Sequence, residues 1–228
     1  MNLSARRFKC FSACCLTVVT MLSASFMNNA TAGTVYKSIR KAPSDAPYVL
    51  ITDYGAIGDG NIANANVNAT AMANALATGK TVKIPYTAAG YHFGANQITV
   101  GTGQIIEGES QVLLKSTATT SLFRLTGFDK TSGISNVYID MTGSGASSTA
   151  IRFGTNSSAP VTRVRISKVR FSNCVEAIGD EASTSNYVVD VMIEDCLAWQ
   201  TRGRQIYSRR SRGFFLIRST IVDFTQDS

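Results

Sequence analysis

The densest chemical signal in the sequence lies towards its carboxyl-terminal end. No Asp or Glu occurs between Asp195 and Asp223. That span holds Arg202, Arg204, Arg209, Arg210, Arg212 and Arg218, with Trp199, Tyr207, Phe214 and Phe215 interleaved. Guanidinium groups take carboxylates in bidentate fashion, and aromatic faces pack against sugar rings. A groove for an acidic polysaccharide needs both; a solvated turn region needs neither. Two further arginines, Arg124 and Arg152, sit in the matching tripeptides Phe123-Arg-Leu and Ile151-Arg-Phe. If these stack, two like charges meet at strand spacing, which an anion would relieve. Arg124, Arg152, Trp199, Arg202 and Arg210 are therefore the candidate substrate-binding residues. Arg163, Arg165, Lys168 and Arg170 form a third basic cluster. β-Elimination requires a cation to neutralise a uronate carboxylate and a base to remove the adjacent proton. Tyr207 with Arg204 or Arg209 is the candidate catalytic set. Hydrolysis requires two carboxylates flanking the bond. Glu176, Asp180, Glu181, Glu194 and Asp195 are available for that, and Asp180 and Glu194 are the two expected to share a groove. His92 stands alone, without a partner motif, and reads as packing.

These side chains must be held by a particular kind of chain. In 228 residues, 44% are hydrophobic and 16% charged, which excludes disorder and a coiled coil. Eighteen Gly against 4 Pro fits a turn-rich β protein. Three basic residues precede the uncharged run Cys10–Met27, and Ala30-Thr31-Ala32 supplies small residues for cleavage before Gly33. This is a secretory signal pattern, implying a secreted or periplasmic protein with no membrane span after cleavage. Beyond residue 32, 19 basic residues face 15 acidic ones, an excess of +4. That mild excess, export and the lack of any reader motif argue against nucleic acid as a partner. Cys174 and Cys196 remain in the exported part, where a disulfide and two buried thiols are both open. No metal-ligand spacing occurs.

The organisation is repetitive. Residues 1–32 are the signal, 33–47 a polar lead-in, and 48–228 the domain. Val49–Ile51 is β-prone, and the Gly and Asp residues of 53–60 mark turns. Asn66 or Asn68 can cap a helix whose apolar face is Ala69, Met72, Ala73 and Leu76, ended by Gly79. Thr81–Pro85 alternates as a strand. From there a Val-x-aliphatic pair recurs at Val112, Val137, Val164 and Val191, and loosely at Phe215, in steps of 25, 27, 27 and 24 residues. A second series, Phe123, Ile151, Ile178 and Ile206, steps by 28, 27 and 28. Such a period means stacked coils whose inward side chains form columns. The expected fold is all-β: a parallel β-helix of about five to six coils, preceded by an α-helix. The 22-residue spacing of the cysteines does not follow the period.

The segment Ile51-Thr-Asp-Tyr-Gly-Ala-Ile-Gly-Asp-Gly60, the helix to Gly79, and Thr81-Val-Lys-Ile-Pro85 followed by Gly90-Tyr91 resembles the start of the pectate-lyase superfamily, the pectin-lyase-like β-helices. The resemblance is specific over residues 49–92 and architectural thereafter. It implies that the parallel β-helix is right-handed, that the amino-terminal α-helix caps its open end, and that Asp53, Gly55, Asp59 and Gly60 are turn residues. It implies action on carbohydrate polymers, and it admits calcium as a cofactor, for which no residue pattern speaks. The sequence departs from the family at Asn64-Ala-Asn66, where an acidic Asp-Asp-Thr is usual. It also lacks the Asn-Thr-Asp, Gly-His-Gly and Arg-x-Pro-x-x-Arg catalytic signatures, so no catalytic residue carries over. The expected function is degradation of an acidic polysaccharide, as a lyase ahead of a glycoside hydrolase. The alternatives are a non-catalytic carbohydrate-binding or surface β-helix and an inactive truncated product. No closing cap follows Phe224, so the domain reads as incomplete there, with its open end offering an oligomer contact.

Overall fold

The computed structural model describes residues 46–127, 129–145, 147–154, 160–180, 188–203, 205–207 and 211–221; of Tyr207 and residues 211–221 it describes the backbone alone. β1 (Tyr48–Leu50) leads through a 3₁₀ turn at Ile51–Tyr54 and another at Ile62–Asn64 into helix α1 (Ala65–Leu76). Strands follow: β2 (Thr81–Ile84), β3 (Tyr91–His92), β4 (Ile98–Val100), β5 (Ile105–Lys115), β6 (Ser121–Leu125), β7 (Ser132–Asp140) and β8 (Thr149–Phe153). The remainder are β9 (Val161–Ser167), β10 (Arg170–Ser172), β11 (Glu176–Asp180), β12 (Val188–Trp199), β13 (Ile206–Tyr207) and β14 (Ser211–Ile221).

Every strand pair is parallel. Sheet A runs β1-β2-β5-β7-β10-β12-β14, with β3 on β5 and β9 joining β7 to β12; sheet B runs β4-β6-β8-β11-β13. The chain alternates between the two sheets as it climbs, so the fold is the expected parallel β-helix. It completes about four turns, fewer than the repeat count suggests. The reason is that much of residues 48–97 goes into the helix and turns of the capped end.

The core is a set of aliphatic columns. In sheet B, Ile98, Phe123, Ile151, Ile178 and Ile206 pair rung upon rung, as the second sequence series requires. In sheet A, Ile106, Ile134, Ile166 and Ile193 form another column, all 1% exposed or less. The first sequence series needs correction at one step. Val112 pairs with Val137, and Val164 with Val191, but Val164 lies over Ser132 and not over Val137. Sheet A bends at a corner held by left-handed residues: Gln111, Asn136, Lys168 and Asp195, with φ of 59°, 57°, 53° and 52°. Inward alternation on both flanks of that corner produces the same Val-x-Ile text. Val137 follows the corner and Val164 precedes it, so their 27-residue spacing coincides with the period without sharing a register. Val169, one rung on from Val137, takes that column instead.

The helix also differs from expectation. Its buried face is Ala65, Asn68, Ala71, Met72, Ala75 and Leu76, and Ala73 is exposed. Neither Asn66 nor Asn68 caps it: Asn68 is fully buried within it, while Asn66 accepts a bond from Asn96. The residue at the cap position of α1 is Asn64, which makes no side-chain capping bond, while Asn61 caps the preceding 3₁₀ turn by accepting from the Ala63 N–H at 3.0 Å. Gly79 closes the helix end as expected, donating to the Leu76 carbonyl.

Cys174 and Cys196 are both buried thiols that form no disulfide. Burial pushes the Cys174 thiol up to about 12. Thiolate, the reactive form, is therefore scarce at neutral pH. Peptide mapping after iodoacetamide treatment should find Cys174 and Cys196 unlabelled in native protein and both labelled in denaturant. Native labelling of Cys174 would contradict this burial.

Candidate functional site

Two outward-facing rows carry the candidate chemistry, and they lie on different sheets. On sheet B the alternation that sends Phe123, Leu125, Ile151 and Phe153 inward leaves Arg124 and Arg152 outside. The two are paired rung on rung, Arg152 pairs with Gly179, and Gly179 with Tyr207. Arg124, Arg152 and Tyr207 thus fall on one line, as the sequence suggests. Gly179 leaves a gap in the line, and the Glu176 carboxylate fills it: a Cβ on Gly179 would lie 2.5 Å from Glu176 Oε2. Arg152 Nη2 donates to Thr149 Oγ1 at 3.0 Å and to the Ser147 carbonyl at 3.3 Å. Thr149 Oγ1 in turn donates to Glu176 Oε2 at 3.1 Å. This relay from guanidinium to carboxylate holds Arg152 flat on the sheet. Thr149 carries no signal in the sequence that would mark it.

On sheet A, beyond the corner, a second row runs His92, Lys115, Asp140, Ser172 and Trp199, one residue per rung. The neighbouring row is Leu113, Tyr138, Arg170 and Leu197. The Trp199 and Tyr138 rings meet at 5.1 Å between centroids, tilted by 37°. Tyr138 OH lies 2.9 Å from Ser172 Oγ, and Ser172 Oγ donates to Asp140 Oδ1 at 3.3 Å. Asn173 Nδ2 donates to the same oxygen at 2.7 Å. At the far end of the row the Gly94 N–H donates to His92 Nδ1 at 2.8 Å, which requires a lone pair there. Burial, then Lys115, holds the imidazole below its usual range, against a smaller opposite pull from Asp140.

The structure does not gather the candidate substrate-binding residues into one place. Trp199 lies on sheet A, and Arg124 and Arg152 lie on sheet B. Arg202 is exposed beyond the end of β12 and donates to the Ser144 carbonyl at 3.2 Å. Arg204, Arg209 and Arg210 lie outside the described residues, as does Glu181. Asp180 and Glu194, expected to share a groove, are on different sheets. Glu194 is moreover paired to Arg165 at 2.9 Å. The reason is the corner again: a strand spacing that looks uniform in sequence spans two faces of the solenoid. In the third basic cluster, Arg163 donates to the Asp129 carbonyl, Arg165 pairs with Glu194 and Lys168 forms the corner, so three of its four members have structural duties.

Calcium takes six to eight oxygen ligands. Among the described residues there is no group of three or more His, Cys, Asp and Glu side chains that could hold a metal. No helix among them is long and apolar enough to cross a membrane.

No known family's sequence pattern matches the chain. No curated protein matches it either. Among solved structures, a protein described as Geobacillus virus E2 ORF18 superposes with a TM-score of 0.50 at 14% identity, over 93% of this chain and 44% of the viral one. The Agl-KA catalytic domain aligns at a TM-score of 0.29 and 14% identity, over 80% of this chain and 48% of that domain. The chain therefore spans less than half the length of either. The first likeness shows the fold alone, in keeping with the parallel β-solenoid described above.

Proposed function

We propose that the chain is an exported, carbohydrate-active β-helix protein of the pectate-lyase type that binds an acidic polysaccharide along sheet B and cleaves it by β-elimination. The observation that carries this reading is the line Arg124, Arg152 and Tyr207, held in register by three successive strand pairings. Two guanidinium groups one rung apart, ~4.8 Å at the backbone, suit a run of carboxylates better than an isolated one. In the reaction, arginine neutralises a uronate carboxylate and so acidifies the adjacent C–H. Tyr207, with Arg204 or Arg209, takes that proton. The electron pair forms the C=C bond as the glycosidic C–O bond breaks, and the leaving oxygen gains a proton. Separation of Asp180 from Glu194 weighs against the hydrolytic alternative, which needs two carboxylates across one bond. The engagement of Arg152 by Ser147 and Thr149 favours a second reading, in which the face binds without cleaving.

The test is incubation of the full chain with polygalacturonate, alginate and hyaluronan, following ultraviolet absorbance of unsaturated ends and reducing ends separately. Both rising together supports elimination; reducing ends alone means hydrolysis; binding without either means a surface protein. Replacing Arg124 and Arg152 together by alanine should weaken polyuronate binding by ~10- to 100-fold, since each charge-assisted contact contributes ~1.5–3 kcal/mol before non-additivity. An unchanged affinity, measured by calorimetry, would remove sheet B from the proposal.

A further inference from the structure

The aromatic pair on sheet A is unused by this reading. We propose that Tyr138 and Trp199, with the anchored carboxylate of Asp140 beside them, form a separate binding site for a neutral sugar ring.

Three observations lead there. First, the rings lean towards each other across two rungs. Backbone rungs are ~4.8 Å apart, so Tyr138 and Trp199 start ~10 Å apart at their strands, with Ser172 on the rung between them. Their centroids nevertheless come to 5.1 Å. Ser172, fully buried, makes this geometry possible; a larger side chain on that rung would wedge the rings apart. Both aromatic residues stay partly exposed. The result is an apolar shelf at the surface, fixed in orientation and about the breadth of two rings. Aromatic faces of this kind receive the C–H face of a pyranose.

Second, polar groups of fixed direction stand at the edge of the shelf. Asp140 Oδ1 has four donors within 3.3 Å: the Thr142 N–H, the Thr142 hydroxyl, Ser172 Oγ and Asn173 Nδ2. Asp140 Oδ2 makes no hydrogen bond to the described residues. A carboxylate locked through one oxygen presents the other as an acceptor for hydroxyl groups, and no rotamer freedom is lost on binding. The Tyr138 hydroxyl reaches Asp140 through Ser172, so shelf and carboxylate form one unit.

Third, the local charge suits an uncharged ligand. Lys115 and Asp140 are adjacent on the row and of opposite sign, and His92 beyond them is kept neutral by the Gly94 N–H. A uronate stacked on the shelf would set its carboxylate against that of Asp140, although Arg170, exposed on the next row, would draw it. The site therefore selects a neutral pyranose where the arginine line on sheet B selects an acidic one. The inference rests on the carbohydrate reading only in the class of ligand. It uses different residues and a different sheet.

Trp199 is the single tryptophan of the chain, so intrinsic emission reports this shelf and no other place. The full chain is titrated with cellohexaose, maltohexaose and chitohexaose, and separately with hexagalacturonate. At least one neutral hexaose should change the emission saturably at millimolar concentration or below. Tyr138→Ala should weaken that response ~10-fold or more, and Asp140→Asn should weaken it several-fold. Tyr138→Phe keeps the shelf and should stay within about twofold, which decides the matter if the alanine variant fails to fold. The Arg124→Ala/Arg152→Ala double variant should leave the neutral response unchanged while losing polyuronate binding. An emission unchanged by all three neutral sugars overturns the proposal. So does a response to hexagalacturonate alone, or a neutral response that survives Tyr138→Ala undiminished. Failure of the unaltered chain to bind or cleave any polyuronate, with its neutral response intact, would instead count against sheet B alone.

Discussion

Gly90→Ala is expected to lower the stability of the domain by about 2–5 kcal/mol, a large part of the ~5–15 kcal/mol that a domain has. Gly90 stands at φ +75° immediately before β3. A methyl group there would overlap the Leu113 carbonyl oxygen of β5 and approach Leu113 Cβ to 2.8 Å. Neither can yield, because Leu113 is paired into β7 and its neighbour Leu114 is wholly buried. The Gly90 carbonyl also receives the Gly60 N–H at 2.9 Å, which ties the turn before the helix to β3. The substitution therefore adds left-handed strain of ~1–2 kcal/mol to an overlap of ~1–3 kcal/mol or more. Gly79 is the control: its φ is +71°, but a Cβ there would meet nothing within 4 Å. Gly79→Ala should show only the dihedral cost, ~1–2 kcal/mol. Thermal unfolding should separate the two, with Gly90→Ala lowering the midpoint on the order of 10 °C. Equal losses in the two variants would mean that β3 does not press on β5 as described.

That contact explains part of what the sequence reveals and what it conceals. Turn glycines and the strand Thr81–Ile84 are legible because backbone requirements act locally. The sheet B column is legible for a different reason. Its members, Phe123, Ile151, Ile178 and Ile206, are all inward residues at nearly constant spacing. Sheet A defeats the same reading between Val137 and Val164, because the corner residues Asn136 and Lys168 look like any polar residues in a strand. Only their left-handed backbone marks them, and sequence does not print φ.

The row from His92 to Trp199 suffers most from this. Its members are separated by 23, 25, 32 and 27 residues along the chain. The 32-residue step hides the neighbourhood of Tyr138 and Trp199, although Trp199 by itself is conspicuous. Arg124 and Arg152 suffer no such step, so their stacking can be read directly. Whether a polar side chain is satisfied from inside is equally hidden. Thr149 and Ser172 look like ordinary β-sheet hydroxyls, yet each is fully buried within a hydrogen-bonded relay. Asn68 is the sharpest example. An Asn at the start of an alanine-rich run reads as a cap, because that is where Asn most often helps a helix. Its true partners lie outside the helix, 11 and 24 residues away.

Those partners make Asn68 the second position where one side chain should matter greatly. It is 0% exposed. Its Oδ1 accepts from the Ile57 N–H at 2.7 Å, and its Nδ2 donates to the Ile57 carbonyl at 3.1 Å and to the His92 carbonyl at 3.0 Å. One amide thus joins α1, the turn after Ala56, and β3. Asn68→Ala strands one backbone donor and two acceptors away from water and leaves a small void. With ~1–3 kcal/mol for each unsatisfied group, partly relieved by relaxation, the expected loss is about 3–4 kcal/mol. Asn68→Asp separates the hydrogen-bonding account from a packing account, since its shape is nearly the same. Ionised, it would place a carboxylate oxygen against two carbonyl oxygens in a buried site. Protonated, it can donate to one of them and still accept from Ile57. Its folded-state pKa must therefore rise above the unfolded value of ~3.9. A group raised in this way favours the folded state at low pH and loses that contribution as pH climbs through the folded pKa. Urea unfolding should find Asn68→Asp closest to the parent protein in acid and progressively weaker towards neutral pH, whereas the deficit of Asn68→Ala stays constant. Parallel pH profiles for the two variants would mean that the amide fills space at this position and does not join the three elements by its hydrogen bonds.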